Sequence, residues 1–410
     1  MTTTDLINPD REERGMVSSV TETQGPRRTL ALTSLVHALH DGYTDMIYVL
    51  LPVWQAEFSL NYVALAVLRA LYVGILAAFQ IPSAHLAKRL NARTVLALGT
   101  ILCATGYALV GFSGGLVGLC ASLALAGAGG STQHPLASAA VSRAYGVKAR
   151  GPLGTYNFAG DLGKATLPPL LSLLLTVMHW RSTLWVAAGL GLLVAASILW
   201  LMPPVPAPPT ELEIVAAPNL ETPGRGGFKL LFVIGILDTA ARMGFLLFLP
   251  FLLKTKGAPL TTVGLALSFV FIGGAFGKAV CGWLGVRLGL LATVLATEVG
   301  TAAAILALLV LPLGSSLILL PLLGVMLNGT SSVLYGTVPE LVEPHKIERA
   351  FALFYTGILG SSALAPVLYG RVGDAVGLIS AEVAPAITAL AVVPLMLILS
   401  PRLKRPGVVC

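Results

Sequence analysis

The chain alternates long apolar runs with short polar breaks. Twelve of these runs approach or exceed the roughly 20 residues that an α-helix needs to cross a bilayer. They lie at 30–53, 61–84, 95–112, 115–141, 151–178, 182–202, 228–253, 261–284, 290–312, 315–338, 348–369 and 378–400. The pattern predicts an all-α polytopic membrane protein with twelve transmembrane helices.

Polar and proline-rich stretches divide the chain into parts. Residues 1–29 are polar and predict a disordered cytoplasmic tail, and 401–410 predict a second cytoplasmic tail. The longest break, 203–227, is rich in proline and predicts a linker with no fold of its own. We therefore expect two six-helix bundles, at 30–202 and 228–400.

Composition agrees with a membrane protein. Hydrophobic residues make up 56% of the chain and charged residues 11%, against about 25% charged in a typical soluble domain. The net charge is +7, but the basic residues lie between apolar runs, which favours membrane-surface loops over a nucleic-acid site. The four cysteines have no paired spacing, so we expect neither a disulfide framework nor a metal site.

The positions of the basic residues test the topology independently. If the N-terminus is cytoplasmic and every run crosses, the inside regions hold 18 Lys and Arg residues. The outside loops then hold four, which are Arg181, Lys254, Lys256 and Arg371. Cytoplasmic loops of membrane proteins carry such an excess of basic residues. We expect a multi-pass protein of the inner (plasma) membrane with both termini in the cytoplasm.

The two halves of the chain resemble each other. Matched residues recur at a nearly constant offset of 197 to 199 positions: Asp41 with Asp238, Arg89 with Arg287, Arg150 with Arg349, and Pro168 with Pro366. Similarity at a fixed period indicates a repeated structural unit. The repeat predicts two pseudo-symmetric bundles in parallel orientation, an arrangement in which transporters place their substrate site between the halves.

This layout resembles the major facilitator superfamily. The family's loop between its second and third helices reads Gly-x-Leu-Ala-Asp-Arg-x-Gly-Arg-Arg, and residues 84–93 read AHLAKRLNAR. The leucine, the alanine and two arginines are kept, whereas lysine replaces the aspartate and both glycines are lost. The resemblance implies the superfamily fold and gate loops that contain Lys88, Arg89, Arg93 and Arg287.

The first half resembles the fosmidomycin-resistance branch of that superfamily more narrowly. The similar segments are His37-x3-Asp41 with Leu51-Pro52, residues 127–143 around His134-Pro135, and residues 156–168. This resemblance implies efflux of small phosphonate-type antibiotics across the inner membrane, driven by proton exchange.

Charged residues inside the predicted spans are candidates for function, because a charge near the bilayer centre costs about 2.5–3.5 kcal/mol on insertion scales. The candidates are the acids Asp41, Asp45, Asp161, Asp238 and Glu298 and the bases Arg69, Lys164, Arg242 and Lys278. Asp45 and Arg69 lie at equal depth on consecutive spans, so we expect them to pair. The pair is either a gate that protonation opens or a static link between helices.

Asp41 is the stronger candidate for proton coupling. It lies near the middle of the first span, and His37 is one helical turn away on the same face. Asp238 is its repeat counterpart and lies one turn from Arg242, so it either carries a proton or forms an internal salt bridge with Arg242. We expect proton coupling at His37, Asp41, Asp45 and Asp238.

The fifth span supplies candidate substrate contacts. Asn157, Asp161 and Lys164 lie close to one face of it. Asp161 and Lys164 either neutralise each other or leave Lys164, with Arg69, to hold an anionic group. His134 and Arg242 complete the predicted substrate-binding set, although a lone histidine such as His134 is also typical of hydrogen-bonded packing.

These features predict a secondary transporter. The first hypothesis is proton-coupled antiport that exports a small, anionic organic compound by alternating access, and the alternative is a symporter that imports an organic acid. An intramembrane enzyme is the remote alternative, since no HExxH motif is present. We expect a monomer in the lipid bilayer that binds a small-molecule substrate and no nucleic acid, and that uses the proton gradient with no cofactor.

Overall fold

The computed structural model describes residues 9–204, 226–343 and 346–403. The described residues form α1 (Pro9–Phe58), α2 (Tyr62–Leu90), α3 (Ala92–Val110), α4 (Leu116–Gly130), α5 (Gln133–Tyr145), α6 (Arg150–Val177), α7 (Trp180–Leu201), α8 (Phe228–Thr255), α9 (Leu260–Val310), α10 (Leu313–Leu341), α11 (Ile347–Val376) and α12 (Leu378–Leu399). No strand occurs in these three ranges. The all-α prediction is confirmed.

Some predicted segments fall partly outside this description. These are residues 1–8 of the predicted first tail, most of the predicted linker, and 404–410 of the predicted second tail. In the structure α1 begins at Pro9, whereas the apolar run begins at residue 30. The division into tails, linker and bundles stays a prediction.

Two interruptions reconcile these helices with the twelve predicted crossings. The fourth crossing is broken into α4 and α5 at residues 131–132, directly after a glycine-rich stretch. Conversely, α9 contains two crossings, which meet at Gly289 with a φ of 82°. Glycine accepts this positive φ without steric cost, so the chain can turn back there within a single residue. The described residues therefore make twelve crossings.

With α4 and α5 counted together as Leu116–Lys148, nine of the described helices are long and apolar enough to cross a membrane by length and composition alone. Because α9 makes two crossings, only α1 and α6 remain to complete the twelve. Both helices carry charged residues in mid-span, including Asp41 on α1 and Lys164 on α6. The two least apolar crossings are thus those whose polar side chains have to face the protein interior.

Glycines bring the helices into direct backbone contact. A Cβ atom on Gly163 of α6 would overlap the backbone of Ala38 on α1. On α9 and α10, Gly273 abuts the carbonyl of Pro321, and Gly324 abuts the carbonyl of Val270. Small residues at helix interfaces are the usual means of close packing in membranes. The α1–α6 contact fixes the two helices that carry Asp41 and Lys164.

Replacing Gly163 with alanine should therefore destabilise the first half. The added methyl group has no room against the Ala38 backbone, and overpacking of this kind costs about 1–3 kcal/mol. We expect Gly163→Ala to lower the melting temperature in detergent by several degrees. Gly189→Ala is the matched control, because a Cβ at Gly189 meets no atom within 4 Å. Equal melting temperatures for the two variants would contradict the predicted contact.

The two halves contact each other on one side of the molecule. We call the side where α1 ends and α2 begins the far face, and the side where α7 ends and α8 begins the linker face. At the far face the Tyr62 ring packs on Phe248 and Phe251, with centroids 5.3 Å apart in each case. The backbone N–H groups of Tyr62 and Val63 donate to the Asp374 carboxylate at 2.7 and 3.0 Å. These contacts close the molecule at the far face.

Candidate functional site

A cavity of about 250 Å³ lies between the two halves. Its walls come from α1, α2, α5 and α6 of the first half and from α8, α9, α10 and α11 of the second. The lining residues are Asp41, Thr44, Asp45, Arg69, Val73, Leu76, His134, Asp161, Lys164, Arg242, Met243, Leu246, Phe271, Gly274, Lys278, Asn328, Leu359 and Ser362. Seven of the ten predicted proton-coupling and substrate-binding residues thus share one cavity, although they come from distant parts of the chain.

Asp41 is the centre of a charged cluster on the first-half wall. Its side chain is 11% exposed. Its Oδ2 atom lies 3.2 Å from Lys164 Nζ and 3.3 Å from His37 Nε2, and its Oδ1 atom lies 3.7 Å from His134 Nε2. The predicted approach of His37 and Asp41 on one helical face is present. Lys164 and His134 reach the same carboxylate from α6 and α5.

The hydrogen bonds of His37 locate a proton in this cluster. His37 Nδ1 lies 2.8 Å from the backbone carbonyl oxygen of Tyr156. A carbonyl only accepts, so we assign the Nδ1 proton to this bond, which leaves Nε2 facing a carboxylate oxygen of Asp41. Two acceptor atoms face each other there and could bind one proton between them. His37 and Asp41 are therefore placed to take up one proton.

The first half contains a second buried ion pair. Arg69 NH2 lies 3.6 Å from Asp45 Oδ1, and both side chains are less than a tenth exposed. The Arg69 guanidinium also lies over the Tyr48 ring, 5.1 Å from its centroid. The predicted Asp45–Arg69 pair is present in the structure. Whether it acts as a gate stays a prediction.

Of the two alternatives for Asp161 and Lys164, mutual neutralisation is not formed. Lys278 Nζ contacts both carboxylate oxygens of Asp161 at 2.7 Å. This pair joins α6 of the first half to α9 of the second. Lys164 turns toward Asp41 instead, because the glycine contact brings α1 and α6 close together. A pairing of Lys278 with Glu298 is likewise not formed.

The internal salt bridge between Asp238 and Arg242, one of the two alternatives for Asp238, is not formed either. Among the described residues, no carboxylate oxygen lies within 4 Å of an Arg242 nitrogen, and the buried Arg242 Nε has no hydrogen-bond partner. Asp238 instead lies against Glu298 of α9, outside the cavity wall. Arg242 is therefore the one lining cation of the described chain without an ion-pair partner.

Several predicted residues lie away from the cavity. Asn157 is exposed on α6 and does not line the wall. Arg93 donates to the backbone carbonyl of Met202 at 3.0 Å, and Arg287 lies over the Trp283 ring at 4.7 Å. Both arginines, with Lys88 and Arg89, lie at the linker face. Whether they act in gating stays a prediction.

Some charged and polar residues of the structure were not predicted to be part of the site. Lys278 was assigned no role, yet it contributes a charge to the wall, and Asn328 and Ser362 add polar groups from the second half. A sixth intramembrane acid, Glu382, is fully buried on α12. Its position in the last apolar run was visible in the sequence, whereas the wall positions depend on how each helix is rotated.

The Asp41 cluster also has the composition of a metal site. Ligand atoms of His37, Asp41 and His134 all lie within 4.8 Å of one another. The Lys164 ammonium group, however, lies 3.2 Å from the same carboxylate. A fixed positive charge at that distance opposes a divalent cation and favours an anion.

Comparison with known proteins identifies the family. A sequence profile of the Major Facilitator Superfamily matches residues 33–229 and 231–408. The chain belongs to the Major Facilitator Superfamily. The match spans both halves, so the superfamily resemblance seen in the first half and in the repeat extends over nearly the whole chain. A comparison with curated protein sequences gave no match.

Solved structures of transporters share the superfamily fold. A bacterial homologue of the human lysosomal transporter Spinster, in an inward-facing and occupied conformation, superposes with a TM-score of 0.76 at 16% identity, covering 92% of this chain and 98% of that one. A POT family transporter in complex with 5-aminolevulinic acid gives 0.74 at 14%, covering 92% and 97%. A mutant of the nucleoside transporter NupG gives 0.74 at 14%, covering 92% and 100%. The chain shares its fold with these transporters.

Proposed function

We propose that this protein is a proton-coupled secondary transporter of a small organic anion, working by alternating access. The observation that carries the proposal is the charge of the cavity wall. Four cations face three carboxylates, and three of the cations are paired within 4 Å. Arg242, from the second half, is left over, so a bound anion would pair with it.

The size and walls of the cavity suit a small organic ligand. Its volume of about 250 Å³ lies below the usual range for drug-sized ligands, about 300–1,000 Å³. Met243, Leu246 and Phe271 form an apolar patch beside Arg242, and Asn328 and Ser362 offer hydrogen bonds. An anion that combines a charged head with a short apolar body fits this arrangement.

Lys164 provides the link between proton and anion. A proton on the His37–Asp41 pair cancels the Asp41 charge and frees Lys164 to attract the anion. Conversely, an anion that draws Lys164 away leaves Asp41 ready to take a proton. Such linkage is reciprocal, so proton and anion bind cooperatively. Cooperative binding favours cotransport of an organic acid over exchange.

Export by proton exchange is the second candidate. It is supported by the similarity of residues 37–52, 127–143 and 156–168 to the fosmidomycin-resistance branch. Exchange requires that the proton and the anion compete for binding to the protein, so that binding of one weakens binding of the other. This is the opposite of the cooperative binding described above.

The sign of proton movement separates these candidates. Purified protein in liposomes with an internal pH dye would be given an external panel of carboxylates and phosphonates, including fosmidomycin. Cotransport acidifies the lumen as the anion enters, and exchange makes it alkaline, whichever way the protein is inserted. If no anion in the panel moves protons, the proposal is wrong.

We further propose that the far face is extracellular and that the structure is the inward-facing state. The basic residues are concentrated toward the linker face, as the positive-inside rule requires of a cytoplasmic side. In this state the Asp374 contact with the start of α2 works as an external latch between the halves. A carboxylate at a helix N-terminus is stabilised by the unpaired N–H groups and the helix dipole.

Loss of the latch should shift the transporter toward the externally open state. Asp374→Ala removes both bonds to Tyr62 and Val63, and losing a helix cap costs about 0.5–2 kcal/mol. The equivalent shift in the open-to-closed ratio is about 2- to 30-fold. Spin labels at Ser59 and Lys254 would measure it as a larger population of long distances.

Asp374→Asn is the graded control, because the amide still accepts one bond but carries no charge. It should fall between the wild type and Asp374→Ala. An unchanged distance distribution in Asp374→Ala would show that the latch does not hold the far face closed.

A further inference from the structure

The second half of the protein contains a pair of buried acids. Asp238 of α8 and Glu298 of α9 are 4% and 2% exposed. Their carboxyl groups lie against each other, behind the cavity wall that Arg242 lines. No step of the proposed proton–anion linkage at Asp41 uses this pair.

The surroundings of the pair supply too little positive charge for two carboxylates. Arg242 on α8 is a cation close to both acids. On α10, Thr330 neighbours Glu298, and Tyr335 lies near Asp238 and Arg242. Both of these side chains are uncharged at neutral pH. Among the described residues, neither acid has a basic side chain within 4 Å to form an ion pair.

A buried atom without a partner marks where a proton would sit. Asp238 Oδ2 has no hydrogen-bond partner among the described residues and is sealed from solvent. Leaving a buried acceptor unpaired costs about 1–3 kcal/mol, and two adjacent carboxylates repel each other in addition. One proton between the two carboxyls removes both penalties, because it gives Oδ2 a donor and leaves a single negative charge opposite Arg242.

We infer that Asp238 and Glu298 form a second proton-binding site, which holds one proton between the two carboxyls. Asp238 is the repeat counterpart of Asp41 on the first helix of each half. Each half then carries a proton site next to a cation of the cavity wall, Lys164 in the first and Arg242 in the second. Given the proposed anion transport, an anion that engages Arg242 would make this site take up a second proton.

Infrared difference spectra of the purified protein in lipid test the site without any substrate. The pH is stepped between acid and alkaline, and the carboxylic acid C=O band is followed. Asp238→Asn and Glu298→Gln, each on its own, should remove one pH-dependent band, because each breaks the shared proton site. Glu382→Gln is the matched control: Glu382 is also a fully buried intramembrane acid, with both oxygens unpartnered within the described chain, and its loss should leave that band in place.

Persistence of the band in either single variant would overturn the inference. Should a variant fail to fold, wild-type protein labelled with ¹³C at the glutamate or aspartate carboxyls answers the same question. The shared band should shift with either label, and a shift with neither or only one would contradict sharing. Because no anion is present, the proton site and the proposed anion transport can fail separately.

Discussion

Replacing Asp41 with asparagine is expected to reduce proton-driven accumulation of the anion by at least about 100-fold. The anion should still bind to the variant. The amide cannot take up a proton at neutral pH, so the His37–Asp41 pair loses its exchangeable proton. Lys164 is then permanently free for the anion. The variant should retain anion–anion counterflow across liposomes, with an affinity that depends less on pH than that of the wild type. A loss exceeding about 100-fold corresponds to more than about 2.7 kcal/mol of coupling.

The control for this variant is Glu382→Gln, which neutralises a buried acid on α12 outside the cavity. Its accumulation should equal that of the wild type. Proton-driven accumulation by Asp41→Asn at the wild-type rate would remove Asp41 from the mechanism. Loss of counterflow together with accumulation would instead indicate a defect in folding or substrate binding, which a melting curve resolves.

Removing the charge of Arg242 should have the second large effect. Hydrogen bonds to a charged group contribute about 1.5–3 kcal/mol, so Arg242→Gln is expected to weaken anion binding about 10- to 150-fold. Arg242→Lys keeps the charge but loses the planar donor pair, and should fall between Arg242→Gln and the wild type. Calorimetric or tryptophan-fluorescence titration with the transported anion measures both.

Lys254→Gln provides the comparison, because it removes a positive charge from the far end of α8, outside the cavity. Its affinity should match that of the wild type. If Arg242→Gln binds as tightly as the wild type, the unpaired cation of the wall is not the anion site.

Most of the fold could be predicted from the sequence, because bilayer thickness fixes helix length and the repeat fixes the number of halves. The breaks were harder to predict. The fourth crossing breaks at residues 131–132, and the eighth and ninth are joined at Gly289 without a loop. Hydropathy responds to side chains, whereas the turn at Gly289 depends on a backbone dihedral angle.

Some charged pairs could be predicted from the sequence and others could not. Depth in the membrane correctly paired Asp45 with Arg69 on neighbouring helices. Spacing within one helix correctly placed His37 beside Asp41, but it also offered Lys164 to Asp161, and that pair is not formed. Residues three or four apart can meet, but partners on other helices compete for the same carboxylate. The Gly163 contact places α1 beside Lys164, and α9 supplies Lys278 to Asp161.

Cooperative binding of proton and anion is tested most directly by whether protons are taken up or released when the transported anion binds. Purified wild-type protein in weakly buffered detergent solution, with a pH indicator, would be titrated with that anion. We expect net proton uptake, because the anion draws Lys164 away from a carboxylate that then takes a proton. The uptake should be smaller in Asp41→Asn. Net proton release would contradict cooperative binding and would support exchange instead.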